Sequence, residues 1–164
     1  MKTRSNIKIE SEDNGGWRLT CRQYVPRPPV DVFPFFADAR NLQRITPPFL
    51  HFRILSVSNH PLLAGATLNY TLRLHYIPVF WRTLITEWKP PHRFVDTQQI
   101  GPFKHWDHLH EFVPTTHGTE MTDIVKFDLY CRQLATTPLL DWVNSDLTRI
   151  FEYRHKRTAE ILGQ

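Results

Sequence analysis

The sequence predicts an α+β fold in which a curved antiparallel sheet wraps around one long C-terminal helix. Segments with alternating apolar and polar residues follow one another through most of the chain, and the connections between them are too short for crossover helices. Prolines mark the corners between these segments. The last part of the chain changes to the three- and four-residue period of an amphipathic helix. A sheet that packs on a single helix must curl to bury its apolar face, and curling leaves room for a cavity.

Length and composition indicate one globular unit. We predict that residues 1–164 form a single domain, with a polar segment at residues 1–16 that is either an arm or a short strand. This segment lacks the apolar core of a signal peptide, so we expect a cytoplasmic protein. No apolar run approaches the roughly 20 residues of a membrane span. No feature of the sequence indicates an oligomeric state.

The net charge of +4 is modest for a nucleic-acid-binding protein. The densest basic run is Arg154, His155, Lys156 and Arg157, close to the end of the predicted C-terminal helix. Cations at this position suit the negative pole of the helix dipole. We therefore expect this run to be a solvated helix end, and we predict no nucleic-acid partner.

The first strand is predicted at Trp17–Tyr24, where apolar and polar residues alternate. Three prolines end this strand, and the phenylalanine-rich segment 30–36 predicts a helix that Pro34 keeps short. A second short helix is predicted at Ala39–Ile45, before two further prolines. Six more strands follow, at His51–Asn59, Thr67–Tyr76, Phe80–Trp88, Arg93–Gln99, Phe103–Phe112 and Thr119–Tyr130.

The predicted element order is therefore one strand, two short helices, six strands and one long helix, with about seven strands in total. The strand Thr67–Tyr76 has the clearest alternation, with Leu68, Tyr70, Leu72, Leu74 and Tyr76 on one face. The helix has about 25 residues, and its predicted inner stripe contains Leu140, Val143, Leu147, Ile150 or Phe151, Thr158 and Ile161. Arg149, Lys156 and Glu160 are expected on its outer face.

Several motifs accompany this order of elements: Phe33-Pro34-Phe35-Phe36-Ala37-Asp38-Ala39-Arg40-Asn41-Leu42, Ile45-Thr46-Pro47-Pro48, Trp81-Arg82-Thr83, Glu87-Trp88-Lys89-Pro90-Pro91, Arg93-Phe94-Val95-Asp96, Gly101-Pro102-Phe103, Trp106-x-His108-x-His110-x-Phe112 and Ile150-Phe151-Glu152-Tyr153-Arg154. Together they resemble the START-like superfamily, and more closely its bacterial cyclase/dehydrase-like and ligand-binding members. The resemblance spans residues 17–162. It implies the helix-grip fold and an internal cavity for a hydrophobic molecule. It implies no catalytic residues, because this superfamily has no shared catalytic signature.

The segment around Trp106 is the most informative for function. Alternate side chains of a strand share a face, so His108 and His110 are expected to point inward with the aromatic residues Trp106 and Phe112. The same parity predicts inward-facing side chains on the neighbouring strands. The predicted ligand-contacting residues are Tyr70, Leu72, Trp81, Phe94, Asp96, Gln98, Trp106, His108, His110, Phe112, Met121, Asp123, Val143 and Leu147.

The inner polar cluster of Asp96, His108, His110 and Asp123 has three interpretations. The four residues either satisfy one another in a buried network, orient the polar groups of a ligand, or form a His–Asp acid/base couple. A metal site is a further alternative, because His108 and His110 share a face with two carboxylates. No cysteine pair supports it, and we predict neither a metal nor a cofactor.

Three functions are consistent with these residues. The leading hypothesis is a carrier or sensor that encloses a lipid, an isoprenoid or an aromatic polyketide-like molecule. The second is a cyclase or dehydratase that uses His108 or His110 as a base with Asp96 or Asp123 as its partner. The third is a ligand-free adaptor for other proteins, which would have a filled interior and an exposed apolar patch. The sequence does not decide whether the protein is an enzyme.

Overall fold

A computed structural model describes residues 6–13, 15–130 and 137–163. Within these residues, eight strands form one antiparallel sheet in the order β1-β2-β8-β7-β6-β5-β4-β3. The strands are β1 (Asn6–Ser11), β2 (Trp17–Val25), β3 (Arg53–Val57), β4 (Thr67–Leu74), β5 (Ile77–Lys89), β6 (Arg93–Ile100), β7 (His105–Thr115) and β8 (Gly118–Asp128). The helices are α1 (Pro29–Ala37), two 3₁₀ helices (Ala39–Ile45 and Pro48–Leu50) and α2 (Thr137–Leu162). The predicted α+β helix-grip fold is confirmed.

The sheet has eight strands where the sequence predicts about seven, because the polar N-terminal segment forms the edge strand β1. This strand pairs with β2 over its full length, from Asn6 opposite Arg22 to Ser11 opposite Trp17. Ile7 and Ile9 pack against the core, while Lys8 and Glu10 are exposed. Two apolar residues are too few for a clear strand pattern in the sequence. Pairing with β2 therefore determines that this segment is a strand.

The turn between β4 and β5 lies two residues earlier than predicted. His75 and Tyr76 both have positive φ, at 48° and 73°, and they form a two-residue hairpin turn between Leu74 and Ile77. Such turns match the twist of the flanking strands, but they usually contain Asn or Gly. The prediction of a strand through Tyr76 is therefore wrong, and Tyr76 is 93% exposed instead of facing inward. Pro78 lies within β5, opposite Arg73.

Apolar side chains under the sheet form two main clusters along its concave face. The first packs the middle of α2, through Leu147 and Phe151, against β2, β7 and β8. The second packs α1, through Val32, Phe33 and Phe36, against the other end of the sheet. The two helices therefore cover different parts of the same face.

Helix α2 has 26 residues and is about 39 Å long at 1.5 Å per residue. Leu147, Phe151 and Thr158 are buried, as the predicted stripe requires, and Arg149, Lys156 and Glu160 are exposed. Among the described residues, no helix combines the length and the hydropathy that crossing a bilayer requires.

We expect Phe112→Ala to lower the free energy of unfolding by about 3–5 kcal/mol. The ring is 1% exposed and packs against Phe33 and Phe36 at centroid distances of 5.4 and 5.3 Å. Val113→Ala, on the opposite face and 45% exposed, should cost less than about 1 kcal/mol. Urea unfolding measures both losses, and equal losses would contradict the assignment of the inner face.

Candidate functional site

A cavity of about 240 Å³ lies between the sheet and α2, next to the 3₁₀ helices. Its walls are mostly apolar and aromatic. Of the residues predicted to contact a ligand, the following line it: Tyr70, Leu72, Trp81, Phe94, Asp96, Trp106, His108, His110, Val143 and Leu147. The hollow under the C-terminal helix is therefore present, and most of the predicted side chains reach it.

Four predicted residues do not line the cavity. Phe112 and Met121 are paired across β7 and β8 and pack in the second apolar cluster, under α1. Gln98 is used locally: its amide Nε2 donates to the carbonyl of Phe103 at 2.7 Å, and its Oε1 accepts from the Phe103 N–H at 3.3 Å. Asp123 lies behind the two histidines, which separate it from the cavity.

Part of the remaining wall comes from residues in segments that strand parity does not describe. These residues are Phe35 and Phe36 of α1, Leu42 and Ile45 of the first 3₁₀ helix, Leu50 of the second, and Phe52 just before β3. Their side chains reach the cavity because these short helices dock over the open end of the curled sheet. The phenylalanine-rich segment 30–36 indicates in the sequence that helix α1 has an apolar face. The sequence does not indicate that this face lies against the cavity.

The inward alternation predicted for β7 is confirmed. Trp106, His108, His110 and Phe112 are buried, and the intervening residues are more exposed. Strand pairing places two carboxylates next to these histidines. Asp96 of β6 lies opposite His108, and Asp123 of β8 lies opposite His110. The predicted polar cluster therefore spans three adjacent strands.

Each histidine of the cluster lies between the two carboxylates. Nε2 of His110 is 2.8 Å from Oδ2 of Asp96, and its Nδ1 is 2.9 Å from Oδ1 of Asp123. Nε2 of His108 is 2.9 Å from the same Asp123 oxygen, and its Nδ1 is 3.7 Å from Oδ2 of Asp96. The ring centroids of the two histidines are 3.7 Å apart. Phe94 stacks on His110 at 4.1 Å.

Arg154 of α2 completes this cluster, and the prediction that it lies at a solvated helix end is wrong. Its Nε is 4.0 Å from Oδ2 of Asp123, its Nη2 is 3.5 Å from Nδ1 of His110, and its guanidinium lies 5.8 Å from the centroid of Phe36. His155 is also buried, so the run 154–157 is not a solvated helix end. The spacing was informative, because residues 154, 155 and 158 follow Phe151 at intervals of three, four and seven.

Burial disfavours charge on every member of the cluster, and the contacts decide which groups stay charged. For Asp123, Arg154 and the histidines outweigh burial and hold the carboxyl pKa well below its usual value. Burial also opposes ionisation of Asp96, but His108, His110 and Arg154 lower its pKa.

The pKa values of the two histidines shift in opposite directions. Burial would lower the pKa of His110, but hydrogen bonds to Asp123 and Asp96 raise it. Burial and the neighbouring His110 lower the pKa of His108, despite the carboxylates. The two carboxylates are thus balanced by Arg154, and their contacts with both ring nitrogens of His110 favour its protonated form.

The other end of the cavity lies between the β4–β5 hairpin and α2, which contact each other there. Nε2 of His75 is 2.5 Å from Oδ2 of Asp146, and its ring lies 4.1 Å from that of Trp142. All three side chains line the cavity, and Trp142 is also 45% exposed. This end therefore reaches the surface, whereas the charged cluster lies at the inner end.

Comparisons with known proteins agree with this architecture. The family described as "Polyketide cyclase / dehydrase and lipid transport" matches residues 25–152. Protein Ms6760 from Mycobacterium smegmatis is 17% identical, with a TM-score of 0.65 over 95% of this chain and 97% of that one. Protein CV1439 from Chromobacterium violaceum is 14% identical, with a TM-score of 0.67 over 90% and 97%. These two similarities show the fold.

A nucleoside-diphosphate sugar epimerase from Corynebacterium glutamicum is 26% identical, with a TM-score of 0.64. The match covers 86% of this chain and 28% of the epimerase. No curated protein matches the sequence significantly.

We expect Asp123→Ala to lower the free energy of unfolding by about 3–5 kcal/mol, because it leaves the Arg154 guanidinium and both histidines buried without their shared partner. Glu120→Ala removes a carboxylate from the exposed face of the same strand and should cost less than about 0.5 kcal/mol. Urea unfolding of both variants gives the comparison. A loss at Asp123 as small as that at Glu120 would show that the buried charges do not depend on this carboxylate.

Proposed function

The chain belongs to the polyketide cyclase / dehydrase and lipid transport family, and we propose that it is a carrier or sensor that encloses a small hydrophobic molecule in the cavity beneath α2. One observation carries the proposal: the cavity has apolar walls, and its ionisable groups are concentrated at the inner end and at the opening. Small-molecule sites combine an apolar lining with a few placed polar groups in this way. Under this proposal the protein acts in the cytoplasm.

The size of the cavity favours a compact ligand. Its 240 Å³ are slightly below the roughly 300–1,000 Å³ of typical sites for drug-sized molecules. A fused aromatic molecule or a short isoprenoid suits this volume better than a lipid with two acyl chains. The wall contains Tyr70, Trp81 and Trp106, with Tyr70 stacked on Trp81 at 5.9 Å and Trp106 edge-on to Trp81 at 5.4 Å. These rings offer flat surfaces to an aromatic ligand.

The cluster would orient the polar part of such a ligand. Asp96, His108, His110 and Arg154 all line the inner end of the cavity. A ligand hydroxyl or carbonyl group placed there would meet both hydrogen-bond donors and acceptors, while the rest of the molecule contacts apolar side chains. The outer end, at Trp142, is the route by which a ligand would enter.

A cyclase or dehydratase activity is the second candidate, and the geometry of His108 favours it. This histidine lines the cavity while Asp123 holds its Nε2 at 2.9 Å, so a carboxylate orients the imidazole and leaves the other nitrogen available. That nitrogen could remove a proton next to a carbonyl group of a bound polyketide. A ligand-free adaptor is disfavoured, because it would have a filled interior.

We expect the fluorescent probe anilinonaphthalene sulfonate, an aromatic anion, to bind in the cavity, and Val143→Trp to weaken this binding at least about tenfold, or ~1.4 kcal/mol, by filling the space. Val143 lines the cavity and is half-buried. Glu152→Trp, on the exposed face of the same helix, is the matched control and should bind like the wild type. Fluorescence titration gives the dissociation constants. Equal affinities in the two variants would place the probe outside the cavity and count against the proposal.

Native mass spectrometry of freshly purified protein should show a bound small molecule, and this molecule separates the two functions. For a carrier, we expect it to be released chemically unchanged after incubation, and His108→Ala to alter its affinity without any turnover. Chromatography of the extracted molecule before and after incubation measures conversion. Conversion by the wild type that His108→Ala abolishes, with the circular dichroism spectrum retained, would identify an enzyme instead.

A further inference from the structure

We propose that Asp96, His108 and His110 bind a divalent transition-metal ion, with Zn²⁺ as the representative, at the inner end of the cavity. One donor atom from each of the three residues lies within 4.8 Å of the other two. Bound at about 2.0–2.2 Å, the ligands of a tetrahedral zinc ion are roughly 3.3–3.6 Å apart. The three donors therefore need to move by about one ångström or less to bind an ion. The residue pattern alone predicts no metal, whereas the positions of these three side chains favour one.

The two imidazoles converge more than strand geometry requires. Residues i and i+2 of a strand are about 6.6–6.8 Å apart at 3.3–3.4 Å per residue. The ring centroids of His108 and His110 are only 3.7 Å apart, so the two side chains lean toward each other. The two rings therefore lie side by side, and one nitrogen of each is directed at the same oxygen of Asp96.

Asp123 orients both imidazoles from behind. The same oxygen, Oδ1, lies 2.9 Å from Nε2 of His108 and 2.9 Å from Nδ1 of His110. If it accepts a hydrogen bond from each ring, the remaining nitrogens, Nδ1 of His108 and Nε2 of His110, are those nearest to Oδ2 of Asp96, at 3.7 and 2.8 Å. A carboxylate that holds the remote nitrogen of a ligating histidine is a regular feature of metal sites.

The side of the cluster opposite Asp123 is open to the cavity. Asp96, His108 and His110 line the cavity, whereas Asp123 does not. An ion held by these three residues would keep coordination positions for water or for an oxygen atom of a bound molecule. Two imidazoles and one carboxylate favour zinc, iron or cobalt over the oxygen-seeking ions Mg²⁺ and Ca²⁺.

The charges fit the same arrangement. Arg154 lies 4.0 Å from Asp123 and balances that carboxylate, which leaves Asp96 to the ion. Nε2 of His110 and Oδ2 of Asp96 lie 2.8 Å apart, and an ion bound between them would displace any proton that these two atoms share. A purely structural network is the competing interpretation. It accounts for the hydrogen bonds, but it requires no affinity for metal.

The test uses the 164-residue chain after dialysis against a chelator, with no organic ligand present. We expect isothermal titration calorimetry to show one equivalent of Zn²⁺ per chain and no binding of Mg²⁺ or Ca²⁺. Co²⁺ in place of Zn²⁺ should produce visible absorption bands of a site with nitrogen ligands. Absence of a stoichiometric metal, together with absence of cobalt bands, would overturn the proposal without any variant. The fluorescent-probe titration is independent of this result, so failure of one proposal is distinguishable from failure of the other.

Variants assign the site to these residues. His108→Ala should weaken Zn²⁺ binding at least a hundredfold, whereas His105→Ala, on the exposed face of the same strand, should leave it unchanged. Asp123→Asn should weaken binding by about 10–100-fold while one equivalent still binds, as expected for a positioning residue. Asp96→Asn is the conservative variant if His108→Ala does not fold. Binding that is equal in the His105, His108 and Asp96 variants would place the ion elsewhere and overturn the proposal.

Discussion

The neutralisation of two buried carboxylates is the constraint on which the rest of this structure depends. Asp96 and Asp123 lie under α2, where an unbalanced charge would cost several kcal/mol. Two histidines on the strand between them and one arginine from the helix supply the compensating hydrogen bonds and charge. Because the carboxylates belong to different strands, the cluster joins β6, β7 and β8 through side-chain contacts.

This balance links the sheet to the helix that covers it. Arg154 of α2 lies 4.0 Å from Asp123 of β8, so an ionic contact joins the helix to the sheet. The apolar clusters alone would tolerate small shifts of the helix, since apolar contacts are not directional. The ionic contact adds a directional restraint to this packing, and Leu147 and Phe151 of α2 form the roof above the strands. The cavity is the space that this roof leaves over the curved sheet.

The resulting interior has two different ends. At the outer end, aromatic side chains and the hairpin at His75 form an opening that reaches solvent. At the inner end, charged groups lie in a low-dielectric environment, where hydrogen bonds and coordination bonds are stronger than in water. A compact hydrophobic molecule with one polar group fits this asymmetry. An ion at the inner end would present a coordination position to that polar group, so the two proposals are compatible.

The sequence predicts which strand residues face the interior, because a period of two determines the face on which a side chain lies. Trp106, His108, His110 and Phe112 were assigned correctly, and so was the order of the elements. Period alone does not determine what lies above that face. The docking of α1 covers Phe112, whereas His108 faces an open cavity, and the rotation of α2 brings Arg154 inside. The hairpin at His75 and the strand β1 likewise depend on pairing with distant residues, which local sequence does not encode.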